Sequence, residues 1–355
     1  MPAKPMVTLF YRKPRRSGNY SIEAAFDQIM ASFSSRGDFQ FRKLVSSHMS
    51  NGVLPRIKAV LEARREASQI NHVTGDVNYL ALGLPRDRTV VTIHDCGMID
   101  RVQNPIRRQI LKWLWLDLPL RRATLITADS FATRDDIVRL TGIESNKIVV
   151  VPVCISSKFS PAPGTFHTAC PEVLHIGTAY NKNLERHIEA LSGINCSLKI
   201  IGQVSAEQQR LLDAHDIKFS IHDSLTETQV IQAYRDCDLV LFASTLEGFG
   251  MPILEAQTVG RPVITSNTSS MPEIAGSGAC LVDPFDIESI RSGIVRVIED
   301  DDYRHTLVDA GFENVTRFRP ETIAPQFESI YSRLQESHQP AAQAAPGESS
   351  RPQTS

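Results

Sequence analysis

Apolar residues in this chain follow two rhythms that alternate along its length. Residues 7–11 (Val-Thr-Leu-Phe-Tyr) form a short extended run. Residues 20–33 place Ile22, Phe26, Ile29 and Phe33 three and four apart, the spacing of one helix face. The exchange continues with strands at 39–45, 70–73, 89–93, 123–127 and 147–151, and helices at 54–67, 105–118 and 131–141. Thr89-Val90-Val91-Thr92-Ile93 is the clearest strand of this half, since every residue in it is β-branched. Strands alternating with helices predict an α/β fold with a parallel sheet covered on both faces.

Between 156 and 170 the rhythm stops, and Pro161, Pro163 and Gly164 cluster among small residues as a linker would. It restarts at Val173-Leu174-His175-Ile176-Gly177, with a helix from Leu184, a strand at 198–202 and a capping box from Thr226 to Gln229 ahead of a strand at 239–243. That strand runs into Glu247-Gly248-Phe249-Gly250 and then a helix with Pro252 in its first turn. Gly260 is placed as a left-handed stop, and Pro262 bars continuation. A last amphipathic helix is predicted over 320–334. Beyond Gln335 the chain is Ala, Pro, Gln, Ser and Gly, the composition of a disordered tail. A length of 355 residues suits two domains, 1–160 and 170–318, with the helix at 319–334 and the tail at 335–355.

Composition narrows the classes. A formal net charge of −2 gives no global basic field, so no nucleic-acid partner is expected. The six cysteines stand singly with no Cys-x-x-Cys pair, which argues against a zinc site and for reduced thiols in the cytoplasm. The apolar run at 7–11 is far too short for a signal peptide, and no stretch is long enough to span a membrane. A cytoplasmic protein is expected, with contact to the inner membrane face as an added reading.

The chemistry concentrates at 242–256. A strand, a Gly-rich turn and a helix N-terminus offer backbone N–H groups to an anion, while Glu247 and Glu255 suit hydroxyls rather than phosphate. A ligand that is both phosphate and polyol is called for, and a nucleotide sugar answers to that. His94-Asp95 ends a parallel strand, where open α/β sheets place ligands. His94 there either orients a sugar hydroxyl or is a satisfied loop histidine with Asp95 as a turn cap. Lys182, on a loop before a helix, is either a cation for a diphosphate or a solvated lysine. Asp236-Cys237-Asp238 has the pattern of a metal–diphosphate motif but precedes its strand, so no metal and no cofactor are assigned. Gly248-x-Gly250 lacks the third glycine of a dinucleotide fingerprint. Arg107, Arg108, Lys112, Trp113 and Trp115, extended by Arg121 and Arg122, are either an interfacial helix on anionic lipid or a core helix with snorkelling arginines; the second is preferred.

Glu247-Gly248-Phe249-Gly250-Met251-Pro252 with Glu255-Ala256 resembles the signature of the family 4 (group 1) retaining glycosyltransferases. The likeness continues through Gly260-Arg261-Pro262-Val263-Ile264, Met271-Pro272-Glu273-Ile274 and Leu281-Val282-Asp283-Pro284. It implies the GT-B fold, two facing Rossmann-like domains with the last helix crossing back to the first. It further implies a hexosyl transfer from a nucleotide-diphosphate sugar, as substrate, to a carbohydrate or lipid-linked acceptor in surface polysaccharide or glycolipid assembly. The implied catalytic set is His94, Asp95 and Glu247. The implied donor-binding set is Lys182, Gly248, Phe249, Gly250, Glu255, Gly18 and Thr178. The chain departs from the family at Asn181 and Thr178, where a second cation is common, leaving Arg12, Arg15 or Arg16 to supply it, and at Ser17-Gly18-Asn19, where two glycines are common. No covalent nucleophile is assigned, because no carboxylate pair stands out for a double displacement. A nucleotide-sugar epimerase, a phosphorylase and a non-catalytic nucleotide-sugar-binding scaffold are the alternatives.

Overall fold

The computed structural model describes residues 4–13, 21–34 and 38–337; Arg15, Arg16, Gly18 and the tail beyond 337 lie outside them. Two sheets, each of six parallel strands, account for the alternating pattern. The first holds β1 (Met6–Tyr11), β2 (Gln40–Val45), β3 (Ile70–Val73), β4 (Thr89–Ile93), β5 (Leu125–Ala128) and β6 (Ile148–Val150), in the order β2-β1-β3-β4-β5-β6. The second holds β7 (Glu172–Ile176), β8 (Ser197–Ile201), β9 (Lys218–His222), β10 (Leu239–Phe242), β11 (Val263–Ser266) and β12 (Cys280–Val282), in the order β12-β11-β10-β7-β8-β9. Strand order reverses between β1 and β3 in one sheet and between β7 and β10 in the other, and ligands of such sheets bind at these switch points.

Both sheets are buried on both faces, which explains why β3, β4, β5, β10 and β11 read as unbroken buried runs rather than alternating ones. The local signals act as predicted. Thr226 and Gln229 form the reciprocal capping box of helix Glu227–Asp236. Gly260 closes helix Met251–Val259 in the left-handed region at φ 87°. β9 is an edge strand with mostly exposed positions, so its apolar signal is weak.

The last helix, Pro320–Glu336, crosses back and packs against the first lobe, burying Ile323, Phe327, Ile330, Tyr331 and Leu334 with Phe26 and Phe33. Tyr331 Oη lies 2.7 Å from His72 Nδ1, and His72 Nε2 lies 2.7 Å from Thr92 Oγ1. Burial holds this histidine neutral, its pKa pushed down to about 3. The outgoing and returning chains run side by side, joined where Ile155 N–H donates to the Phe318 carbonyl at 2.8 Å. The two segments that cross between the lobes therefore do so at one place.

Candidate active site

The second lobe's switch point brings together the two segments that carry the chemistry. Lys182 follows β7 on a short turn, Tyr180–Lys182, and its side chain lies over Gly177. The φ there is +85°, which calls for glycine, and a Cβ at 177 would also press on Lys182 Cγ and Cε at 3.1 Å. The Lys182 ammonium donates to Glu247 Oε1 at 2.6 Å and stands 4.7 Å from the Phe242 ring centre. Asn181, standing where the family commonly has a second cation, instead ties the turns together. Its Nδ2 donates to the Leu246 carbonyl at 2.9 Å, and its own carbonyl accepts from Thr245 N–H at 2.8 Å.

After β10 comes the turn at 244–250, pinned from behind. Ser269 and Ser270 hydroxyls donate to the Glu247 carbonyl at 2.7 and 3.0 Å, and Ser270 lies 2.7 Å from the Phe249 carbonyl. Gly250, at φ +118°, makes the bend into helix Met251–Val259. Phe249 is buried in the core against Phe318, so it anchors the turn from below. Glu255, one turn into the helix, accepts from the Tyr234 hydroxyl at 2.5 Å. Desolvation lifts its carboxyl to about 7, against the pull of the Tyr234 hydrogen bond and of the Lys182 charge. Lys182, Glu247 and Glu255 thus share one site. Thr178 stands beside it, but its hydroxyl donates to the Gln203 carbonyl on the neighbouring loop.

Across the cleft, His94 follows β4. Its Nδ1 donates to Asp129 Oδ2 at 2.5 Å and its Nε2 to the Thr74 carbonyl at 2.7 Å. Two acceptors need two N–H groups, so the ring fits as an imidazolium. Asp129 holds its pKa up at about 9 against a desolvation that pulls the other way. Both nitrogens are engaged inside the first lobe, so in this arrangement His94 presents the cleft with its backbone carbonyl. Asp95 accepts from Gly97 N–H at 2.8 Å, capping its turn, and also lines the cleft with Glu247 and Gly248. Arg12 is held by Glu23 at 2.6 Å and Asp76 at 2.5 Å, within the first lobe.

The cleft is shut. The space bounded by Asp95, Arg101, Asn181, Glu247 and Gly248 measures about 70 Å³, whereas sites for larger ligands run to about 300–1,000 Å³. A cavity of about 750 Å³ lies under the linker at the opposite end of the second sheet. Its charges are engaged: Asp238 accepts from His167 and Glu172 N–H, and Arg261 donates to the Ala162 and Arg235 carbonyls. The Asp-x-Asp motif belongs to this end and serves as a loop clamp. Asp129, Ser130, Thr133, Tyr234, Ser269 and Ser270 carry no usable signal in the sequence, since single hydroxyls and carboxylates gain meaning only from what faces them.

The profile of the family described as Glycosyl transferases group 1 matches residues 165–314, the whole second lobe. The chain is also 25% identical over 271 residues to the O-antigen chain mannosyltransferase B of Escherichia coli, covering 70% of this chain and 71% of that protein. The second lobe is thus similar to the group 1 glycosyltransferases. Two solved structures share the GT-B fold of the chain over its length. Sucrose-phosphate synthase from Thermosynechococcus elongatus has a TM-score of 0.74 and 16% identity, covering 94% of this chain and 100% of that one. HepE from Anabaena, solved with UDP and glucose, has a TM-score of 0.72 and 15% identity, covering 93% and 100%.

Proposed function

We propose that this chain is a glycosyltransferase that moves a hexosyl unit from a nucleotide-diphosphate sugar to an acceptor hydroxyl in surface polysaccharide or glycolipid assembly, with retention at the anomeric carbon and without a metal. The observation that carries the reading is the meeting of Lys182, Glu247 and Glu255 at the second lobe's switch point, facing the end of β4. Its O-antigen relative is a mannosyltransferase, which makes mannosyl donors the first to test.

In this reading the Lys182–Glu247 pair is the resting state. An arriving diphosphate takes the ammonium, whose charge then draws off the leaving group, and Glu247 is released to accept from sugar hydroxyls. Glu255 accepts from the ribose, oriented by Tyr234. His94, paired with Asp129, shapes the far wall, and Lys182 is the cation that meets the diphosphate. Shutting the lobes excludes water from an activated donor.

The acceptor side has a matching surface. Among the described residues no helix is long and apolar enough to cross a membrane. Helix Pro105–Lys112 nonetheless has no buried residue: Ile106 is 70% exposed, and Trp113 just after it 50%. The core-helix reading fits only the next two turns, at Leu116 and Leu120, while Trp115 is half-buried with Arg56 stacked on it. Peripheral contact with anionic lipid through Arg107, Arg108, Lys112 and Trp113 suits a lipid-linked acceptor.

A calorimetric screen of nucleotide sugars, with Glu255→Ala as control, tests the donor assignment. Nuclear magnetic resonance of the product's anomeric proton tests retention. A glycoside of the donor's own anomeric configuration is expected; no heat with any nucleotide sugar, or a free epimerised donor as the product, overturns the reading.

A further inference from the structure

The shut cleft is held by bonds that reach from one lobe to the donor turn of the other. Ser130 and Thr133, at the N-terminus of helix Phe131–Thr141, both donate their hydroxyls to the Gly248 carbonyl, at 2.7 and 3.1 Å. The same helix has its Phe131 N–H bound by the Glu273 carboxylate at 2.9 and 3.0 Å, again across the cleft. Gly248 fits against the first lobe so closely that a Cβ there would stand 2.1 Å from the His94 carbonyl oxygen and 2.7 Å from Asp95 Cβ. Its φ lies outside the left-handed region, so backbone freedom is not what calls for glycine at 248. The facing lobe is.

We propose that Ser130, Thr133 and Glu273 are positioning residues for the transfer: they set the donor turn in its working geometry only while the lobes are closed. The peptide plane supplies the mechanism. In a trans peptide the C=O and the next N–H point opposite ways, so gripping the Gly248 carbonyl fixes where the Phe249 N–H is aimed. Glu247, one residue earlier, rides on the same turn. Opening the lobes removes both hydroxyls from that carbonyl; the turn keeps the support of its own lobe, from Ser269, Ser270 and Asn181, but nothing in that support grips the Gly248 carbonyl. A donor bound to an open enzyme therefore meets an unready turn, which delays cleavage until the acceptor lobe has closed.

This inference rests on the donor reading above, and its test separates the two. The double variant Ser130→Ala, Thr133→Val is compared with wild type for kcat, for donor Kd by calorimetry and for radius of gyration in solution scattering with donor bound. Donor Kd is expected to stay within about threefold while kcat falls about 100-fold, the usual effect of a misplaced catalytic constellation. The donor-bound scattering radius should rise, and Thr133→Ser should behave as wild type. Gly248→Ala, which keeps every hydrogen-bonding group and adds only a wedge, should reproduce the kcat loss. It serves as the second arm should the double variant fail to fold. The proposal is overturned if kcat in Gly248→Ala or the folded double variant matches wild type, or if donor Kd worsens by the same factor as kcat falls. Wild type giving no heat with any nucleotide sugar would sink the donor reading instead.

Discussion

The two lobes share a topology and face each other across one cleft, yet they use charge differently. At the strand ends of the first lobe the cations are held by carboxylates of that same lobe. Arg12 lies between Glu23 and Asp76, and His94 lies against Asp129. At the second lobe's switch point a single ammonium serves two carboxylates, and one of these is lifted to about 7 by burial. The first lobe's cations are committed within that lobe, while the Lys182 ammonium lies beside the turn that a ligand at the switch point would meet. Apolar exposure differs too, and in the other direction: of the sixteen large apolar side chains exposed among the described residues, twelve lie in the first lobe. The second lobe is thus made to hold a small charged molecule, and the first to meet something broad.

The sharpest way to break this contrast is to remove the cation that pairs with Glu247 on the receptor side. Lys182→Ala leaves Glu247 and Glu255 without a counter-charge and the diphosphate without a partner. Loss of a single group that stabilises developing charge costs about 10²–10³ in rate, so kcat/KM for transfer should fall by that much. A loss under tenfold in steady-state kinetics would mean that the diphosphate is handled elsewhere.

The corresponding cut in the first lobe is Asp129→Asn. Removing one partner of a buried ion pair costs about 3–5 kcal/mol, and Asp129 is 3% exposed. Thermal unfolding should shift down accordingly, since the imidazolium loses its anion. The sign of the pH dependence comes from a folded pKa raised to about 9, above the ordinary 6.5. Stability from the pair is complete below about 6.5 and is lost as pH rises through about 9. Melting temperature in wild type should decline over that window, and the decline should vanish in the variant.

What the sequence makes legible divides along the same line. The second lobe's site can be read in order, because Lys182, Glu247, Gly248 and Gly250 sit on turns, and Glu255 on the helix that follows, whose glycines and proline have local causes. Gly250 must take φ +118° and Pro252 must start a helix, and such constraints are written into neighbouring residues. The first lobe's site cannot be read that way. His94 is visible as a residue at a strand end, but its partners, Thr74 and Asp129, sit at the ends of β3 and β5 and are 20 and 35 positions away. Gly248 is legible as a glycine but for a different reason: its pattern suggests a donor's close approach, and the His94 carbonyl fills that space. Sequence pattern reports what a residue does to its own backbone, and is silent on what faces it across a cleft.

Glu255 gives a smaller effect and a finer test. Its carboxyl is raised to about 7 from the ordinary 4.5, so near neutral pH it is part acid. Ribose hydroxyls that donate to it need the carboxylate, so donor affinity should weaken as pH falls below about 7, approaching tenfold per unit well below it. Calorimetric donor Kd between pH 8 and pH 5.5 measures this, and Glu255→Gln should flatten the profile. Stability runs the other way. A raised acid pKa means the folded state binds more protons than the unfolded between 4.5 and 7, so this group lowers stability as pH rises through that range. Donor affinity and intrinsic stability moving in opposite directions with pH would be hard to produce by any group other than a desolvated carboxyl at the ligand.

The mildest expected effect belongs to the broad apolar face. Helices Val53–Arg65 and Pro105–Lys112 both turn apolar ridges outward: Val53, Leu54, Ile57 and Leu61 on one, Ile106 and Ile110 on the other, continued by Trp113. Residues 53–65 and 105–122 together carry nine Lys or Arg and two Asp or Glu, in a chain of formal net charge −2. Such a surface should bind anionic vesicles at low salt and release them as salt screens the charges. Changing Ile110 and Trp113 to Ser removes two apolar anchors from exposed positions, so stability should move by no more than about 0.5 kcal/mol each. Co-flotation with anionic vesicles should fall several-fold, while transfer to a water-soluble acceptor analogue stays as in wild type. Equal flotation of the variant and the parent would assign the exposed ridge to a protein partner, and the contrast between a receptor lobe and a docking lobe would then have to be drawn without lipid.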